Sequence, residues 1–125
     1  MTDELGLLTH EATIEALATE LERTVMLADH CPSDLVIPTC PGWNAGALWA
    51  HLGGVHRWTT ALLKARATEP ISRKRLDIGA PTDDGWAPWM SAGADGLLEV
   101  LRSTPAQQPV WTWGTGRNAR WWARR

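Results

Sequence analysis

Tyrosine and phenylalanine are both missing from this chain, so its only aromatic side chains besides histidine are nine tryptophans. Lysine is nearly missing as well, two residues against ten arginines. Both biases point to a GC-rich coding sequence rather than to a particular chemistry. No stretch approaches the roughly 20 apolar residues that span a bilayer, and the opening Met-Thr-Asp-Glu-Leu has neither the basic start nor the apolar core of a secretory signal. A cytoplasmic location is therefore the default expectation, with no membrane partner. The two cysteines, Cys31 and Cys40, are too few for the disulfide framework of a secreted miniprotein, and the eight residues between them match no zinc-ligand spacing. A net charge of -2 gives no overall footprint for nucleic acid or a membrane surface. Neither an internal repeat nor a low-complexity segment is present.

What remains is an ordinary globular composition, 44% apolar and 21% charged over 125 residues, enough for one domain spanning 1–125. The helical period organises it. Over about 8–30, Ile14, Leu17, Leu21, Val25 and Ala28 recur three or four apart, and Pro32 closes the segment. A connection with a Pro41-Gly42 turn follows, and Asn44 is placed to cap a second helix running to about residue 67. Its stripe is Leu48, Leu52, Val55, Thr59 and Leu62, widened by His51 and Trp58. Gly53 and Gly54 in its middle cost roughly 1 kcal/mol each relative to alanine, so something packs closely there or a ligand lies there. Residues 68–84 lack a period and read as a long loop, of a length that is often functional or mobile. A third helix is expected from about 84 to 103, with the stripe Trp86, Met90, Gly93, Leu97 and Leu101. A second connection, 104–116, leads to a helical stub from Arg117. The expected fold is thus an all-α, antiparallel four-helix bundle lacking most of its fourth helix.

Few residues in this outline could carry chemistry. His51 shares an arc with Val55, Trp58 and Leu62, so its imidazole should point into the bundle. It is there either as a core histidine satisfied by a hydrogen bond or as a metal ligand between helices. His56 lies about 140° further round and should face another side. His10 and His30, near the ends of the first helix, read as surface residues. The tail, where Arg117, Arg120, Arg124 and Arg125 are interleaved with Trp121 and Trp122, is open to two readings. It is either a patch that binds phosphates and stacks bases, or the start of an amphipathic helix with tryptophans inward and arginines solvated. Five arginines after residue 100 on a chain of this net charge make a weak electrostatic footprint, which favours the helix and makes nucleic acid an improbable partner.

Three segments together resemble one family: Val-Ile-Pro-Thr-Cys-Pro-Gly-Trp at 36–43, Leu-Trp-Ala-His-Leu-Gly-Gly-Val-His-Arg-Trp at 48–58, and Val-Trp-Thr-Trp-Gly at 110–114. They are similar to the mycothiol-dependent maleylpyruvate isomerases, in their N-terminal metal-binding domain of DinB-like four-helix fold. The resemblance implies a divalent metal, usually zinc, and the thiol cofactor mycothiol, acting on a small-molecule substrate in an isomerase or thiol transferase. It implies that His51 is the metal ligand from the second helix. The remaining ligands would come from a His-Glu-x-x-x-His motif on the fourth helix, beyond a segment like 120–125. The sequence ends at Arg125, before such a motif, so this polypeptide alone is expected to lack a complete metal centre and to be inactive by itself. The alternative is a non-catalytic interaction module that self-associates, for example as a homodimer, through the groove left by the missing helix.

Overall fold

The computed structural model describes residues 2–4 and 6–125. Four α-helices follow one another: α1 (His10–His30), α2 (Ala45–Ala65), α3 (Trp86–Ser103) and α4 (Ala119–Ala123), with a single 3-10 turn at Arg73–Arg75. No strand occurs among the described residues beyond isolated bridges such as Val36 with Asn44 and Pro109 with Asn118. The all-helical bundle expected from the periodicity is what forms, and α4 has five residues.

Local chemistry sets the helix starts. The side chains of Thr9, Asn44 and Asn118 accept hydrogen bonds from the backbone N–H groups of Ala12, Ala47 and Trp121, at 3.2, 2.8 and 3.1 Å. Each satisfies a donor that the first turn leaves unpaired. α3 has no such cap. It follows Gly85, whose φ of 81° is readily adopted only without a Cβ.

α3 is the middle element and packs on both α1 and α2. Its stripe of Trp86, Met90, Gly93, Leu97 and Leu101 is buried throughout, as its spacing requires. Two apolar clusters share it. The larger joins Ile14 and Leu21 of α1, Trp58 and Leu62 of α2, Leu97 and Leu101 of α3, and Ala119 and Trp122 of α4. The smaller joins Ala28, Ala45, Trp49, Trp86 and Met90 at the other end. α4 is thus held by burial, not by helix propensity, which at this length is insufficient in water. Of the two readings of the tail, the amphipathic one describes its fold: Trp122 is buried while Arg124 and Arg125 are exposed.

The burial of α2 departs from its expected stripe. Trp49 is 4% exposed and faces the small cluster, whereas Leu48, Leu52 and Val55 are only half-buried. A large indole with a partner pocket beside Trp86 and Met90 outweighs several aliphatic side chains without one.

The two mid-helix glycines have separate occupants, not empty room for a pocket. A methyl on Gly53 would overlap the Trp89 ring. That ring is fixed: its N–H donates to the Ile78 carbonyl at 3.1 Å, and the Arg57 guanidinium stacks over it at 4.1 Å. Arg57 also donates to the carbonyls of Trp89 and Gly53, at 2.7 and 3.3 Å, tying α2 to α3. A methyl on Gly54 would instead meet the guanidinium of Arg73.

The 68–84 connection is not free. Besides Trp89, Trp58 donates its indole N–H to the Ile71 carbonyl at 2.6 Å, so two indoles hold the loop from opposite ends. Gly53→Ala is expected to destabilise the protein by ~1 kcal/mol or more in urea unfolding, because overpacking against a pinned ring exceeds the helix propensity gained.

Candidate functional site

A cavity of about 730 Å³ opens between α2, the 68–84 connection and the 110–125 segment. That size and a mainly apolar lining suit a small molecule. Four tryptophans wall it: Trp58, Trp111, Trp113 and Trp122, with ring centroids 5.0 to 6.4 Å apart. Backbone carbonyls fix two of these rings. Trp58 donates to Ile71, and Trp122 donates to Trp111 at 2.9 Å. The 110–125 segment is anchored in turn by the Trp111 N–H to the Ala67 carbonyl at 2.7 Å. Trp113 stays 66% exposed even though its ring packs on the other three.

His51 lines this cavity, on the same side of α2 as Val55 and Trp58, as its arc requires. Its burial does not follow the expectation. The residue is exposed, with its ring edge-on to Trp43 at 5.6 Å. The arc is covered at Trp58 and Leu62 by the larger cluster, but at His51 it opens on the cavity mouth. The imidazole therefore faces the pocket and the solvent together rather than a closed core.

His56, expected on a different side, lines the same cavity. The void is wide enough to take both flanks of the arc, which a helical-wheel argument about two ligands on one atom does not consider. Its Nδ1 is buried without a hydrogen-bond partner. Burial, with Arg57 adding to it, lowers its pKa to about 4, so it is neutral at pH 7.

His10 also corrects the sequence reading. It is buried, at 8% exposure, beside Thr104 and Leu101, and neither ring nitrogen makes a hydrogen bond. Burial lowers its pKa, against the opposing influence of Glu11. His30 is exposed as expected, its Nδ1 2.8 Å from the Met26 carbonyl oxygen. Cys31 and Cys40 are free thiols, half-buried and outside the cavity.

The charge around the cavity is one-sided. Arg73 and Arg125 line it with the two histidines, and no aspartate, glutamate or cysteine does. Among the described residues, no group of three or more His, Cys, Asp or Glu side chains is placed to hold a metal ion. A catalytic zinc site needs about three protein ligands. The side chains here supply one or two imidazoles, and these do not fit a self-contained metal centre. Sequence reasoning singled out His51 but missed His56, Arg73 and the wall of indoles. The one available signal was the clustering of tryptophans at 111–122 opposite Trp58.

The fold and the site define a class, an all-helical DinB-like bundle with a tryptophan-walled cavity beside a helix-borne histidine. More narrowly, the chain belongs to the family described as mycothiol maleylpyruvate isomerase N-terminal domain, which it matches over residues 14–125. Neither a curated protein nor a solved structure matches the chain significantly. Among the described residues, no helix is long and apolar enough to cross a membrane.

The buried neutral His56 has a consequence for stability. Between pH 6.5 and about 4 the unfolded chain binds a proton there that the folded chain refuses, so stability falls as pH falls through this window. Unfolding midpoints measured from pH 7 to 4 should drop by up to about 3 kcal/mol of stability from this residue. His56→Gln should remove its share of that slope, leaving a contribution of the same sign from His10.

Proposed function

We propose that residues 1–125 form a single domain that binds a small molecule for a mycothiol-dependent isomerase or thiol transferase, and that the tryptophan-walled cavity is its binding site. The observation that carries this reading is the position of His51, the histidine of the family-like Ala-His-Leu helix, at the mouth of that cavity. A small thiol and a small-molecule substrate suit the cavity's size, and a cytoplasmic location suits a chemistry that needs a reduced thiol. Mycothiol, when bound, would supply the nucleophilic sulfur. The domain's own residues would wall off solvent through the indoles and present positive charge through Arg73.

His51 is the proposed metal ligand, donating one imidazole to a zinc or other divalent ion. The described side chains do not complete that coordination, and the chain by itself is proposed to be inactive. Elemental analysis tests this. The purified chain should hold well under stoichiometric zinc, and His51→Ala should remove what it holds, whereas Cys40→Ala should not. Zinc content indifferent to His51→Ala would overturn its assignment as a ligand.

A second reading, a helical module that self-associates, is favoured by a separate observation. Met26, Leu27 and Val36 are 61%, 57% and 73% exposed around the end of α1 and the turn that follows. Large apolar side chains left this exposed favour association. Sedimentation velocity over the micromolar range should then show a concentration-dependent size that Val36→Asp abolishes; a monomer throughout would remove this reading.

A further inference from the structure

The two glycines in the middle of α2 look alike in sequence but have unlike occupants. Each weakens the helix by roughly 1 kcal/mol relative to alanine. At Gly53 the vacated space admits the Trp89 ring, whose packing and hydrogen bond offset that loss. At Gly54 the space admits the guanidinium of Arg73, an exposed residue. Among the described residues that guanidinium has no hydrogen bond and no ion pair, so core packing does not account for Gly54. What the glycine does is let a cationic group lie low against the helix, in the lining of the cavity.

The surroundings narrow what that cation is for. The cavity lining contains two arginines and two histidines, and no acid. Four indoles wall it, two of them with N–H groups already committed to backbone carbonyls, which leaves ring contact as the means of recognition for those two. A cationic guest would meet Arg73 and Arg125. A planar ring carrying a carboxylate satisfies both features at once, since guanidinium pairs with carboxylate in a planar fork and indoles stack on flat rings.

We propose that the cavity binds a planar, ring-bearing carboxylate, its ring against the tryptophan wall and its carboxylate on the Arg73 guanidinium seated over Gly54. This rests on the reading of the cavity as the small-molecule site, and it names the class of molecule that enters. Arg73 is the specificity-determining residue and Gly54 its positioning residue.

Calorimetric titration of the full chain with naphthoate, its neutral amide and the naphthylmethylammonium cation tests it. Naphthoate should bind saturably, about tenfold or more tighter than the amide, the difference expected of one charge-assisted hydrogen-bonded contact. The cation should bind more weakly than the amide. Arg73→Ala should erase the preference for naphthoate over the amide while leaving amide binding intact. Lys74→Ala, in the same 3-10 turn, should change neither. Gly54→Ala is the sharper variant. It should keep or raise the melting temperature, since only the flexible end of an exposed side chain must move, yet lose the same preference by displacing the guanidinium. Equal binding of naphthoate and amide, or loss of preference in Lys74→Ala as in Arg73→Ala, would overturn the carboxylate assignment and leave the cavity as a small-molecule site. Binding of none of the three probes would overturn both.

Discussion

The close crossing of α2 and α3 at Gly53 governs the geometry of the whole cavity. Because no Cβ stands there, the Trp89 ring lies against α2, and Arg57 reaches across to stack on it and to bond the Trp89 carbonyl. The ring is then in position to donate to Ile78, which fixes one end of the 68–84 connection. Trp58 fixes the other end through Ile71. Arg73 lies between these two anchors and Pro70 just before the first, and both line the cavity. A loop of this length without anchors would pay a large ordering entropy to present any residue in a defined place. Two part-buried indole hydrogen bonds are what make this connection into a cavity wall.

Much of the fold was legible because its signals were local. The stripes of α1 and α3 follow the helical period, and Asn44 caps α2 where its chemistry places it. The parts that were not legible depend on partners distant in sequence. The inward turn of Trp49 requires Trp86 and Met90. The burial of His10 requires the end of α3 and the following turn around Thr104. His51 stood on the arc its position dictates, but whether an arc is covered depends on what packs over it, and at that end of α2 the edge-on Trp43 ring leaves the imidazole exposed. Periodicity gives the direction of a side chain; it does not give the depth of the surroundings. The same limitation hid His56, because angular separation on a helix says little about a void that spans both flanks.

The family assignment and the local chemistry bear on different questions. Membership over residues 14–125 makes mycothiol-related chemistry the natural context. The described side chains speak instead of binding: stacking surfaces, positive charge and one or two imidazoles without an acid or thiol beside them. The net charge of the chain is -2, so the positive lining is a matter of placement rather than of composition. Acids lie along the outer faces of α1 and α3, where Glu15 pairs with Arg102 and Glu20 with Arg23, both exposed contacts of small energetic value. Glu69 and Asp77 share the 68–84 connection with Arg73 but do not line the cavity.

Several departures from good packing border the cavity. Gly54 weakens α2 without core compensation, His56 keeps a buried nitrogen unpaired, Trp113 leaves most of its surface in water, and Arg73 has no counter-charge. Each is a cost that a protein selected for stability alone would remove, and all four residues line or border a single cavity. Others lie elsewhere: both ring nitrogens of His10, beside Leu101 at the α1–α3 contact, and the indole N–H of Trp86 are also buried without partners. Local rules of packing and polar satisfaction are relaxed chiefly where a site needs something other than stability. An uncompensated glycine, an unpaired cation and an exposed indole around one void suit a binding site, whatever the likeness in sequence. It also explains why the cavity is open: indoles pinned by backbone bonds cannot collapse to fill it, so the space persists for a guest.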